Sequence, residues 1–307
     1  MALAASASRT GRTDAPSNPE ASAFARVQPV CNFVNAEVAR LRHQTVAIGV
    51  VCAIGAVLLP VTGIGDPRIP FVLTTGIFAF CFARARAELA WSYTNLAAKR
   101  IVAALSKELS YKSASSLTHQ QFIAMDLFGA HEQWKSQNEI GGKARGVKYS
   151  LHQVRAEGKS RTSAVFDGVI IKIDCNDDFP GHTVILPDSA GQMPGAIASS
   201  SSRVKRDLVL LKNPAFERKF SVFATDYYEA RRVVTPYLMT LVMEGAATFR
   251  TDLRLAFAGK SLFVAVAGET FRVQATLFGA PLTPQTAVGK MMHLVAFAQR
   301  LAHAVAE

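Results

Sequence analysis

A run of twenty consecutive uncharged residues, Thr45 to Ile64 (TVAIGVVCAIGAVLLPVTGI), constrains this chain more than any other feature. As an α-helix rising about 1.5 Å per residue it reaches roughly 30 Å, the thickness of a bilayer's hydrocarbon core. A polar break, Gly65-Asp66-Pro67-Arg68, separates it from a second apolar run, Ile69 to Ala83 (IPFVLTTGIFAFCFA). That run gives only about 22 Å of helix. To span, it needs Arg84 and Arg86 to snorkel outward while the helix continues to Leu89, with Trp91 and Tyr93 at headgroup level. The competing reading is a buried helical hairpin in a soluble protein, which would have to hide both runs inside one small domain. The expectation is an N-terminal transmembrane helical hairpin.

Its orientation follows from the flanks. Arg26, Arg40 and Arg42 precede the hairpin and Arg84, Arg86, Lys99 and Arg100 follow it, whereas the turn holds Arg68 beside Asp66. The excess of cations outside the turn puts both termini and the main domain in the cytoplasm. The apolar stretch begins too far from Met1 for a secretory signal; residues 1–28 suit a disordered tail, and their Ala, Ser and Arg content also fits a mitochondrial presequence. Half of the residues are apolar although 19% are charged, so apolar segments lie beside an ordinary soluble domain. The net charge of +11 admits a nucleic acid, an anionic membrane face or an acidic partner. Because the cations are spread along the chain rather than gathered on one element, nucleic acid is the least favoured. The cysteines, Cys31, Cys52, Cys81 and Cys175, lack metal-site spacing and are expected as reduced, mostly buried thiols.

Apolar periodicity marks a helix from Pro29 (Val30, Phe33, Val34, Val38, Leu41) and another over Arg84 to Lys112 (Leu89, Tyr93, Leu96, Ile101, Leu105, Leu109). Together with the hairpin they make a unit over 29–112, continuing into the cytoplasm as an antiparallel helical stalk; the alternative use of the same pattern is a helix on the membrane surface. Over 113–307 the character changes. Strand-like runs appear at Val147–Val154, Ser163–Ile173, His182–Leu186 and Leu208–Leu211, with a Gly/Pro/Ser-rich loop over 189–202. A helix opens at Thr235-Pro236 and runs to Gly245. Leu253–Phe257 and Leu262–Val266 flank Ala258-Gly259-Lys260-Ser261, a hairpin turn by composition. A final helix starts at Thr283-Pro284. This order gives an α+β domain, a mainly antiparallel sheet with flanking helices.

The stretch from Leu211 to Ala224 (LKNPAFERKFSVFA) and on to Thr240 (TDYYEARRVVTPYLMT) resembles a mainly bacterial membrane-protein family known as domain of unknown function 3137. Phe216, Glu217, Phe220, Val222, Asp226, Glu229, Ala230, Arg231, Thr235, Pro236 and Met239 fit the family pattern, and Arg232 stands where an aromatic is usual. Val165-Phe166-Asp167-Gly168 and Gly181-His182-Thr183-Val184 resemble a second segment. The resemblance spans residues 118–278. It implies a preceding pair of membrane helices, a bacterial inner membrane with the domain in the cytosol, and a LemA-like membrane protein as partner. It implies no activity and no cofactor.

The polar cluster Glu217, Asp226, Glu229 and Arg231 allows two readings. In one, Arg231 holds a small anionic substrate while an acid serves as base. In the other, Arg231 pairs with Asp226 or Glu229 to pin a strand-to-helix turn, and Phe216 and Phe220 anchor one helical face. Lys143, Arg145 and Lys148 lead a basic run suited to anionic lipid. The histidines lack metal-binding spacing, no serine sits in a nucleophile elbow, and Gly141-Gly142-Lys143 reads as a flexible turn rather than a phosphate loop. The leading expectation is a non-enzymatic, membrane-anchored module that binds a protein partner or the anionic inner leaflet. The alternative is an enzyme built around Asp226, Glu229 and Arg231.

Overall fold

The structure, a computed structural model, describes residues 19–61, 68–88, 94–159, 164–188, 206–272 and 278–306. Helix α1 spans Pro19–Val61, 43 residues. It opens ten residues before Pro29, so residues 19–28 are helical. The physical reason is a longer apolar stripe: Ala23, Val27, Cys31 and Val34 recur at helical spacing and are buried. The second half of the same helix has the opposite character. Val51, Val57 and Leu58 are apolar yet 59–68% exposed.

Helix α2, Arg68–Glu88, packs along that half. A Cβ on Gly49 would stand 3.0 Å from the Phe78 ring, and one on Gly55 would stand 3.6 Å from Thr74. The pairing of later α1 residues with earlier α2 residues is antiparallel, and small residues let the two helices approach closely. The Gly65–Pro67 part of the polar break lies outside the described residues.

The helix expected over Arg84–Lys112 ends before Lys112. Helix α2 covers Arg68–Glu88 and helix α3 Thr94–Leu105, with residues 89–93 outside the described residues, and strand β1 follows at Ser110–Ala114. The Ser106 side chain accepts from the Glu108 amide at 3.2 Å, a local bond that competes with helix continuation. Nor is there a free-standing stalk. Ala97, Ala98, Ile101 and Val102 of α3 join Val27, Cys31 and Val34 of α1 in the main core of the domain.

Seven strands form one antiparallel sheet: β1, β2 (Gln133–Ala144), β3 (Val147–Glu157), β4 (Ala164–Pro187), β5 (Asp207–Val209), β6 (Phe220–Ala224) and β7 (Leu253–Ala267). The order is β1-β2-β3-β4-β6-β5, with β7 on β4. The runs at Ser163–Ile173 and His182–Leu186 are parts of one 24-residue strand, β4. Its first part pairs with β3 and its last part with β6, while β7 follows it throughout. The hairpin turn expected at Ala258–Ser261 is therefore a bulge. Gly259 takes φ +60°, the register shifts opposite it between Asp174 and His182, and the ribbon bends without reversing. Strands β1, β2 and β6 carried no clear signal; β2 (QWKSQNEIGGKA) holds two glycines and one β-branched residue, and owes its extension to the neighbours on both sides.

Among the described residues five further helices belong to the domain: α4 (His119–Ala124), α5 (Pro214–Glu217), α6 (Tyr227–Val233), α7 (Pro236–Phe249) and α8 (Pro284–Ala306). The first half of α1 packs with α3, α7 and α8 on one face of the sheet, around Leu151, Ile171, Ile173, Leu255 and Val264. On the other face α4 and the chain after it lay Phe122, Met125 and Leu127 over Val154, Ile170 and Phe263. That cover is locked by a buried ion pair, Arg206 to Asp126 at 2.6 Å. Arg206 also donates to His182 Nδ1, whose Nε2 bonds the Ala124 carbonyl.

The domain has a defined end toward the apolar helices. The Asn35 amide of α1 makes both bonds to the Leu282 peptide, at 2.9 and 2.7 Å, just before α8 begins. Phe278 stacks on Phe82 of α2. Tyr149, near the β2–β3 tip, lies beside Gln299, fifteen residues and about 22 Å further along α8.

Candidate functional site

Glu217, Asp226, Glu229 and Arg231 do not form one site. Glu217 accepts from the Leu211 and Lys212 amides at 2.7 and 2.9 Å, closing the turn before α5. Asp226 caps α6 through the Tyr228 and Glu229 amides. Glu229 is 9% exposed, and one of its oxygens accepts from the Gly181 amide at 2.8 Å. A Cβ on Gly181 would stand 2.1 Å from that oxygen, so the contact requires glycine there. Arg231 turns away, bonding the Tyr227 hydroxyl at 3.0 Å and lying over its ring. No described ion pair joins it to Asp226 or Glu229, in place of the expected turn-pinning pair. Phe216 and Phe220 do not share a helical face either. Phe216 is in α5 and Phe220 in β6, their rings stacked at 5.2 Å. The three acids thus serve three separate pieces of backbone.

The second candidate group comes together with partners the sequence reading passed over. Lys143 and Lys148 are directly opposed across β2 and β3. Arg145 (φ +48°) and Gly146 (φ +84°) close the hairpin between them, with positive φ at both central residues as a tight two-residue turn demands. Gly141-Gly142-Lys143 is consequently extended strand rather than a flexible turn. Below the tip lies a cleft of about 710 Å³. Its floor is the continuation of the sheet face that α4 covers further along. Alternation puts Glu139, Gly141 and Lys143 on that face from β2, Lys148, Ser150 and His152 from β3, and Lys172 and Asp174 from β4. Across the strands, Ser110, Gly141, Ser150 and Lys172 form one row.

Under this floor is a buried relay. Ser115 Oγ accepts from Ser136 Oγ at 2.7 Å and from the Leu117 amide at 3.2 Å. Its own proton is left for His152 Nδ1, 2.8 Å away. Neutral His152 then carries its proton on Nε2 and donates to Ser150 Oγ at 2.8 Å. Burial pushes His152 down to about 4, against the pull of Glu139, so the neutral ring is the form present at pH 7. Glu139 is held below the ordinary range despite its burial, by the Ser116 bonds, by His152 and by Lys112. It bonds the Ser116 amide at 2.7 Å and Lys112 at 3.3 Å. In this tautomer His152 is a donor to Ser150 and cannot take its proton, so the Ser–His pair is not an activated nucleophile. The relay instead leaves the Ser150 hydroxyl proton free to point into the cleft.

One signal could have found the site: Lys148, Ser150 and His152 alternate in the strand run VKYSLHQV. Their acidic and hydroxyl partners come from β1, β2 and the segment after β1, which no local pattern linked to them. Among the described residues no three metal-ligating side chains come together. His119 and His131 do meet through their Nε2 atoms at 2.7 Å. All four cysteines are free, and burial pushes the Cys175 thiol up to about 12.

The architecture is thus an α+β domain with an antiparallel sheet, preceded by a long apolar helix. Residues 164–303, from β4 into α8, match the family model described as protein of unknown function (DUF3137). The β1–β3 part of the cleft precedes the matched region. A crystal structure of the mycobacterial trehalose monomycolate transport factor A is similar over 65% of this chain and 89% of its own, at 11% identity and a TM-score of 0.37. A likeness at that score carries no argument about fold or function. No curated protein matches the chain.

Proposed function

We propose that this protein is a membrane-anchored module in which α1 and α2 cross the bilayer as a hairpin and hold the α+β domain at the cytoplasmic face to engage a partner. The observation that carries this reading is the split character of α1. Its first half is sealed into the domain core; its second half and α2 expose large apolar side chains, including Val51, Val57, Val72 and Phe80 at 67–68%. In water such a surface carries a penalty of about 25 cal/mol per Å², whereas hydrocarbon removes it. Among the described residues α1 is the one helix long and apolar enough to cross a membrane, with 6% of its apolar window buried, and Val72–Ala85 of α2 is a shorter apolar companion. The cations on both flanks favour the cytoplasmic placement of the domain.

The test is alkaline carbonate extraction followed by flotation of the full chain expressed in a bacterial membrane. The wild-type protein is expected to float with the membranes, and the Val51→Arg/Val57→Arg variant to lose that behaviour. Release of the wild-type protein into the carbonate supernatant would sink the reading. Protection of the domain from protease in inside-out vesicles would reverse the orientation.

A further inference from the structure

We infer that the cleft at the β2–β3 tip is a binding site for a soluble anion bearing phosphate or carboxylate groups. Ser150 donates to it, and Lys143 and Lys148 supply the positive charge.

Three features of the cleft converge on that chemistry. Lys143 and Lys148 face each other across the two strands, and neither belongs to a described ion pair. Like charges opposed in this way destabilise a sheet, and an anion between them turns repulsion into attraction. The acids nearby do not fill that role. Glu139 is matched by Lys112, and Asp174 by Lys172 at 2.9 Å, so neither acid is the partner of Lys143 or Lys148 among the described ion pairs.

Gly141 sits between Ser110 and Ser150 in its row, and the Ser110 hydroxyl fills the place of its missing side chain: a Cβ there would stand 2.9 Å from Ser110 Oγ, which donates to the Gly141 carbonyl at 3.3 Å. Finally, the buried relay fixes the polarity of the one hydroxyl at the centre. Ser150 Oγ accepts from His152, so its proton is presented outward, and an acceptor is what it can bind. A charge-assisted bond from an oriented hydroxyl beside two ammonium groups discriminates an anion from a neutral polar molecule.

Position decides the source. The Asn35–Leu282 staple and the Phe82–Phe278 stack mark the end of the domain beside the apolar helices. The tip lies about 22 Å beyond it along α8. If α1 enters a bilayer as proposed above, its headgroups lie at the other end of the domain, which favours a soluble source over lipid. The choice of source rests on that anchoring, which carbonate extraction tests separately; the anion site itself does not.

The experiment is calorimetric titration of the full chain, held in zwitterionic nanodiscs, with inorganic pyrophosphate. Saturable binding at one equivalent is expected. Ser150→Ala should weaken it about tenfold, as loss of one charge-assisted bond does. Lys143→Gln/Lys148→Gln should weaken it by more than tenfold. The control pair Lys135→Gln/Lys212→Gln removes the same charge elsewhere and should leave it unchanged. Thermal unfolding of each variant, matched to wild type, shows that the loss is local. Absence of saturable binding, or an equal loss in the control pair, overturns the site. Repeating the titration in phosphatidylglycerol nanodiscs separates the sources: unchanged affinity supports a soluble ligand, and competition by the headgroups overturns that assignment.

Discussion

His152 is a fully buried histidine whose two ring nitrogens are both used, one accepting from Ser115 and the other donating to Ser150. Burial makes its protonation costly and outweighs the pull of Glu139; hence the fall from the ordinary 6.5 to about 4. The consequence for stability has a definite sign. Between those two values the unfolded chain binds a proton that the folded chain does not, so stability is complete above about pH 6.5 and drains away as pH falls toward 4. The loss amounts to roughly 2–3 kcal/mol. Denaturant unfolding of the full chain in detergent, from pH 7 to 4.5, is expected to show it. In a His152→Gln variant, less stable at pH 7, the pH slope over that window should flatten. An unchanged slope would mean that the ring titrates normally and that the relay is misassigned. Burial pushes His182 down as well, so part of the slope will survive in the variant.

At the scale of elements, the connection that matters is between α1 and α8. Two bonds from one Asn35 side chain hold the Leu282 peptide, 247 positions away in sequence. Asparagine suits the place because its amide offers a donor and an acceptor side by side, matching the carbonyl and N–H of a peptide. Asn35→Ala orphans both backbone groups. It should lower stability by about 1–3 kcal/mol, read as a lower denaturant midpoint in detergent. Hydrogen exchange should localise the loosening to the start of α8, while the protein still floats with membranes. Full retention of exchange protection at residues 282–288 would show that core contacts alone dock the helix.

The whole molecule is not a soluble domain hung on a separable tether. The sheet face that carries α8 also needs Val27, Cys31 and Val34 from α1 and Ile101 and Val102 from α3, and β1 completes the β2 edge. A fragment covering residues 114–307 loses all of these and uncovers apolar core. It is expected to aggregate, or to unfold well below the full chain in a thermal melt. A second fragment, with residues 19–44 joined by a flexible linker to 94–307, keeps the core contributions of α1 and α3 and should melt cooperatively. Equal melting of the two would show the N-terminal helices to be dispensable for folding. The arrangement also means that a movement of the exposed apolar half of α1 is felt directly by the packed core, since one continuous helix carries both.

Much of this was fixed by local pattern. Twenty uncharged residues specify an apolar helix whatever surrounds it, and Thr235-Pro236 specifies a helix start because cap and first-turn chemistry are confined to neighbours in sequence. The alternation of β3 and the long apolar stripe of α8 were legible for the same reason, as was the stretch Leu211–Thr240, which lies inside the region 164–303 that matches the family model. What tertiary structure alone decided is everything that depends on who stands opposite. Whether Ala258–Ser261 reverses the chain or merely bends it rested on the register of β4. Whether Glu217, Asp226, Glu229 and Arg231 meet rested on backbone groups from distant loops, each of which claimed one acid. The cleft belongs to the same class. Ser150, His152, Glu139 and Ser115 are unremarkable in sequence, and only the pairing of β1, β2, β3 and β4 sets a buried ring against a hydroxyl and opposes two lysines at the tip.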